Sequence, residues 1–344
     1  MRYGQLAEVF EGIEATSKRL EMTDLLVELL KETPRNLVDK VVYLTQGKLY
    51  PDYVGIELGM AEKLVEKAIS LASGRAEAEV EFEYKRSGDL GLTAQEMLKK
   101  RTQSTLMKKL LTVEAVYEAF DKIAHVTGDR SVDTKIKLLS SLLSDAAPDE
   151  AKFVTRMALG KLRVGIADMT ILDALAIAYA GGKELRAPLE RAYNLSSDLG
   201  HVARIVALRG IDGVKDFKIS VGRPVRPMLC ERLSSPQEIL DKLGGRGSAE
   251  YKYDGLRIQA HISNKQTQLF SRRLENITGQ FPDVAKSVRA AVTAEKAILE
   301  GECVAVDPNT GDMLPFQVVS QRRGRKHEIE MMAEEVPVTL FLFD

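Results

Sequence analysis

The sequence has no tryptophan and only two cysteines, Cys230 and Cys303. Two thiols cannot build a disulfide framework, and they exclude a four-cysteine zinc site. A reduced, cytoplasmic compartment is the expectation. No apolar run approaches the roughly 20 residues a membrane helix needs, and no signal-type apolar segment follows Met1, so no membrane partner is expected. Charge of one sign is also missing, because 49 Lys and Arg against 50 Asp and Glu leave a net charge of −1. That total does not advertise a nucleic-acid partner, but binding to phosphates depends on where charge is displayed. What is present is a globular composition, 44% hydrophobic and 29% charged, on 344 residues, enough for at least two domains.

The first 215 residues read as helices. Leu6, Val9, Phe10 and Ile13 recur at helical spacing within 3–20, and Thr23 is the expected N-cap of a helix over 24–32. Thr93 with Glu96 has the form of a capping box. Further helices are expected over 61–73, 113–127, 133–144, 148–159, 169–180 and 195–208. Basic clusters punctuate the chain: Lys99-Lys100-Arg101 with Lys108-Lys109, Lys161 with Arg163, and Arg322-Arg323 with Arg325-Lys326. The proline-fixed run Val221-Gly222-Arg223-Pro224-Val225-Arg226-Pro227-Met228-Leu229 reads as an extended linker, assigned to 216–228. Beyond it the apolar period becomes two. Strands are expected over 248–263, 266–271, 297–306 and 338–343, with helices over 236–243 and 281–292. The reading is an all-α domain over 1–215 and an α+β domain with antiparallel sheet from 229 to 344.

The chemistry centres on Glu250-Tyr251-Lys252-Tyr253-Asp254-Gly255-Leu256-Arg257. Tyr251, Tyr253, Leu256 and Ile258 are expected to desolvate Lys252, which would free its amine as a nucleophile. Gly255 permits close backbone approach, and Arg257 suits a phosphate. Ser271-Arg272-Arg273, Leu299-Glu300-Gly301-Glu302 and Leu340-Phe341-Leu342-Phe343-Asp344 follow in order.

This succession resembles the covalent nucleotidyltransferases, most closely the ATP-dependent DNA ligases of the archaeal and eukaryotic replicative type. The resemblance implies a helical DNA-binding domain followed by an adenylation domain, with nicked double-stranded DNA as partner. Lys252 would attack the α-phosphorus of ATP to form a lysyl-AMP phosphoramidate. Glu250 would accept from the adenine amino group, Arg257 and Arg272 would meet the sugar or phosphates, and Phe343 would stack on adenine. Glu302 would contact the ribose and help hold Mg²⁺ or another divalent metal. Asp254 shapes the turn, and Cys303 is expected in the core.

In the helical region the resemblance covers Ser87-Gly88-Asp89-Leu90-Gly91, Thr134-Lys135-Ile136-Lys137 and Leu159-Gly160-Lys161-Leu162-Arg163-Val164-Gly165. It makes Lys135, Lys137, Lys161 and Arg163 candidate DNA contacts. Arg273 departs from the family, where asparagine is common. The family continues past a position equivalent to Asp344, so the α+β domain is expected to be incomplete here, and a DNA-binding fragment without ligation activity is the alternative. The implied setting is replication, repair and recombination by a monomer near an archaeal nucleoid, with a sliding-clamp contact around Gln103 or the early helices.

Overall fold

The computed structural model describes all residues except 102–108, 265 and 326. Gln103, Lys108 and Lys326 of the expectations above lie outside the described residues. The chain divides into two compact units. The first comprises Met1–Pro51, Gly55–Tyr193 and Asp198–Lys218, and the second comprises Ile219–Asp344 with the short stretches Asp52–Val54 and Asn194–Ser197. No helix among the described residues is long and apolar enough to cross a membrane.

The helices that precede residue 218 are α1 (Tyr3–Glu14), α2 (Arg19–Glu32), α3 (Val38–Thr45), α4 (Glu62–Ser73), α5 (Glu77–Ser87), α6 (Leu90–Lys99), α7 (Val113–His125), α8 (Ser131–Asp145), α9 (Pro148–Ala158), α10 (Asp168–Leu175), α11 (Arg186–Ser196) and α12 (Leu199–Lys215). In α1 the buried residues are Tyr3, Leu6, Ala7, Phe10 and Ile13, one face of a 3.6-residue period. Phe10 meets Phe153 of α9 edge-on at 5.3 Å.

Two expected helix starts are displaced. Thr23 is buried inside α2, where its hydroxyl donates to the Arg19 carbonyl at 2.9 Å. Thr93 lies inside α6, whose N-cap is Asp89: that carboxylate accepts from Gly91 N at 2.7 Å and Leu92 N at 3.1 Å. A carboxylate that satisfies two orphan N–H groups is a stronger start signal than a threonine one turn later. The expected helix over 3–20 is divided between α1 and α2.

Asp89 also anchors a partly buried charge network. Its carboxylate accepts from Arg156 Nε and from Arg163 Nη1, while Arg156 and Lys152 reach Glu14. Burial raises the Asp89 pKa, but Arg156 and the two backbone N–H groups outweigh it and hold the carboxyl below its ordinary value.

The second unit contains α13 (Pro236–Lys242), β1 (Leu256–Ile262), β2 (Thr267–Ser271), α14 (Pro282–Ala291), β3 (Ala297–Ala305), α15 (Phe316–Ser320), α16 (Ile329–Glu335) and β4 (Val338–Leu342). The strands form an antiparallel sheet in the order β2-β1-β3-β4. Leu256, Ile258, Ala260 and Ile262 of β1 enter a core with Phe281, Val284 and Val288, the last two from α14. Cys303 of β3 is in that core, and burial pushes its thiol up to about 12. Arg322, expected in a basic cluster, is instead fully buried. It pairs with Asp283, and its guanidinium lies 4.5 Å from the Phe281 ring centroid. A buried guanidinium held by a carboxylate and an aromatic face is a structural staple and not a phosphate contact.

Candidate active site

The face of the sheet opposite the core is built from the polar half of an alternating strand. Arg257, Gln259 and His261 occupy that face of β1. The register sets Arg257 opposite Glu302 and Gln259 opposite Glu300 in β3, then Glu302 opposite Phe341 in β4. Phe343 continues the row, since its N–H donates to the Glu300 carbonyl at 3.0 Å. Arg257 pairs with Glu300, and its guanidinium lies 5.4 Å from the Phe343 ring centroid. About half of Phe343 is exposed, at 48%, so ring surface remains open to a ligand.

Lys252 precedes the strand. The strand expected from 248 begins at Leu256, and Lys252 stands exposed on an irregular segment. Leu256 and Ile258 point into the core and Tyr251 is 89% exposed, so the expected desolvation of the lysine is not found. The approach segment is fixed by two contacts. Phe316 N–H at the start of α15 donates to Asp254 Oδ2 at 3.2 Å, which tethers the segment to a residue 62 positions further along the chain. Tyr253 stacks on Phe341 with centroids 4.4 Å apart. Gly255 then enters the sheet so closely that a Cβ would lie 2.4 Å from the Cys303 carbonyl oxygen.

Glu302 is partly buried and sits opposite Arg257 in the register. Burial holds its carboxyl above the ordinary carboxylate value, against the opposing pull of Arg257, Lys252 and Arg272 and with Asp254 adding to the rise. Arg272 lies one residue past β2 and is exposed, as is Arg273. A narrow crevice is lined by Val225, Pro227, Arg257, Gln259, Ser271, Arg272, Leu274 and Glu300. A larger cavity of about 710 Å³, lined by Ser220, Gly222, Gln268 and Lys296 among others, contains none of the candidate residues. The crevice has two of the candidate arginines, Arg257 and Arg272, in its lining. Glu250 is exposed and has no ion pair or hydrogen bond with the other candidates among the described residues.

Residues 2–176 match the family described as DNA ligase N terminus, and residues 227–344 match the ATP dependent DNA ligase domain. The chain belongs to the ATP-dependent DNA ligases. The ligase chain is 53% identical over 349 residues to DNA ligase 2 of Thermofilum pendens, with 99% of this chain and 58% of that protein covered. It is 51% identical to a DNA ligase of Staphylothermus marinus (100% and 60% covered) and 49% identical to one of Nitrosopumilus maritimus (100% and 58% covered). The chain thus spans about three-fifths of the length of these relatives.

Glu250, Lys252, Arg257, Arg272, Glu302 and Phe343 all fall within the second matched region of the ligase chain, and Lys135, Lys137, Lys161 and Arg163 within the first. Lys137 is exposed near the start of α8, and Lys135 is half-buried there. Lys161 pairs with Glu62 at 3.2 Å, and Arg163 with Asp89 at 3.1 Å. Gly91, at the end of the first of the three matching stretches, packs inside the fold: a Cβ there would lie 2.7 Å from the Lys152 carbonyl oxygen. The sequence reading missed Gln259, His261 and Glu300. For Gln259 and His261 the signal was the strict polar-apolar alternation of Leu256 to Ile262, whose polar half is largely buried, while Glu300 stood in the Leu299-Glu300-Gly301-Glu302 motif without a role.

Proposed function

We propose that the protein is a DNA ligase that seals 5′-phosphate/3′-hydroxyl nicks by way of a lysyl-AMP intermediate. The observation that carries this reading is the row built just after the Lys252 segment, in which Arg257 faces Glu302 across β1 and β3 and its guanidinium lies 5.4 Å from the ring centroid of the half-exposed Phe343. The Lys252 amine would attack the α-phosphorus of ATP, forming a nitrogen–phosphorus bond as the bond to pyrophosphate breaks. AMP would then pass to the 5′-phosphate of a nick, and the 3′-hydroxyl would displace it. A covalent adenylate divides one difficult displacement into easier ones, which is why the site needs a nucleophile and not a base alone.

The side chains fit a nucleotide. Arg257 Nε is buried and has no hydrogen-bond partner, an unspent donor on the site face. With Arg272 it would take ribose or phosphate oxygens, Phe343 would cover the base, and Glu250 would read the adenine edge. Among the described residues, no group of three or more His, Cys, Asp or Glu is placed to hold a metal. Glu302 alone suits Mg²⁺, which is commonly held by one or two carboxylates together with substrate phosphates. Such an ion would neutralise charge on the triphosphate. Lys135, Lys137, Lys161 and Arg163 would meet the phosphate chain of nicked duplex.

The setting we infer is archaeal replication, repair and recombination, by a monomer in the cytoplasm close to the nucleoid. We place no clamp contact, because Gln103 lies outside the described residues. The chain spans about three-fifths of the length of its relatives, and we propose that residues 1–344 alone adenylate poorly. The test is transfer of label from α-labelled ATP to protein after denaturation, in the full-length gene product and in residues 1–344. Lys252→Ala should abolish the acid-labile adduct with the fold intact. Mapping AMP to another lysine would overturn the assignment.

A further inference from the structure

Behind Arg257 runs a chain of hydrogen bonds for which the reaction just described has no use. Gly222 N–H donates to His261 Nδ1 at 2.9 Å. That nitrogen is therefore the unprotonated one, so Nε2–H donates to Gln259 Oε1 at 2.7 Å. The same oxygen accepts from Val225 N–H at 2.8 Å, and two donors on one oxygen fix the orientation of the Gln259 amide. Its Nε2 then faces the Val225 carbonyl at 3.3 Å and Glu300 Oε1 at 2.8 Å. The other oxygen of Glu300 takes Arg257 Nη2, and the Arg257 guanidinium lies over Phe343. His261 is fully buried and Gln259 is 6% exposed. Buried polar groups are retained at a cost unless every bond is made, and here donors from the backbone side and from Arg257 meet on the two oxygens of Glu300.

Resting on the reading of this site as a nucleotide pocket, we propose that Gln259 and His261 are positioning residues for adenylation. They hold Glu300 at the one place from which it aims Arg257 at the nucleotide, and they tie that aim to the 222–225 segment. Neither touches ATP. A glutamine is needed because one side chain must accept from two N–H groups and also donate to a carboxylate. Glutamate has no donor there, and an apolar residue has neither function.

The test is a double-mutant cycle on lysyl-AMP formation in the full-length gene product, with KM for ATP and kcat read separately and the melting temperature of each variant recorded. Gln259→Met should raise KM for ATP about tenfold with Arg257 present, the effect of one lost charge-assisted bond. In an Arg257→Ala background the same change should move KM less than about twofold, because a residue that acts through Arg257 has nothing left to aim. His261→Gln, which can keep the donor to Gln259, should stay near wild type where His261→Leu does not, and this pair decides the matter where Gln259→Met fails to fold. Additive effects of Gln259 and Arg257, or wild-type KM in both Gln259→Met and His261→Leu, would overturn the proposal. An adduct that survives Lys252→Ala would instead overturn the nucleotide-pocket reading beneath it.

Discussion

At the residue scale the site face depends on groups whose ionisation is set by burial. His261 is the clearest case. Burial lowers its pKa from 6.5 to about 4, and both ring nitrogens are engaged while it is neutral. The unfolded chain therefore binds a proton that the folded chain refuses between about pH 6.5 and pH 4. Stability from this residue is fully present above the upper limit and is lost as the pH falls through the window. The loss is at most about 3 kcal/mol. Thermal melts between pH 4 and pH 7 should show the transition of the second unit falling with acid, and His261→Gln should flatten that dependence. An equal slope in the variant would show that other groups carry it. Lys252, Arg257, Arg272, Glu302 and Phe343 could be proposed from the sequence because each is a distinctive type in a short motif. His261 and Gln259 were not, because a polar residue on an alternating strand reads as solvent-facing until tertiary packing covers that face.

At the element scale the sheet positions the site only because two glycines let backbones come close. Gly301 of β3 faces β4 so tightly that a Cβ would lie 2.5 Å from the Phe341 carbonyl oxygen. Gly301→Ala would force the two strands apart, and overpacking of this kind costs about 1–3 kcal/mol. Since Phe343 hangs on the same strand pair, the substitution should also weaken ATP binding, measured by titration beside a thermal melt. Loss of stability with unchanged ATP affinity would show that β4 does not carry the base platform. The strands over 266–271, 297–306 and 338–343 were legible from their period of two, whereas the start of β1 was not. Alternation in Tyr251 and Tyr253 mimics strand, but Asp254 is drawn to the start of α15 and the ladder opens at Leu256. Likewise Asp89 outcompetes Thr93 as a cap because its partners, Arg156 and Arg163, come from 67 and 74 residues away, beyond any local pattern.

At the scale of the whole molecule a net charge of −1 must be reconciled with the polyanionic partner proposed above. Long-range attraction from the total charge is absent, so binding has to come from local cations that release counterions. Two of the four candidate contacts are engaged within the fold. The Lys161–Glu62 pair joins side chains about half exposed, at 53% and 46%, where solvent screens the attraction. Arg163 shares Asp89 with Arg156, so moving it to a phosphate would not leave that carboxylate unpaired. Both are releasable, and Lys135 and Lys137 have no such ties among the described residues. The 344-residue chain should therefore bind nicked duplex with an affinity that falls steeply with salt, the slope of log K against log salt being about −0.9 for each phosphate neutralised. Replacing Lys135 and Lys137 by alanine should make the slope shallower by up to about 1.8 without lowering the melting temperature, provided each meets one phosphate. Arg163→Ala should reduce the slope by about 0.9 with little change in melting temperature, since Arg156 keeps Asp89 paired. Fluorescence anisotropy over a salt series, with a melt of each variant, checks all three. Affinity that ignores salt, or a slope untouched by the three substitutions, would show that the DNA lies on another face of the helical unit.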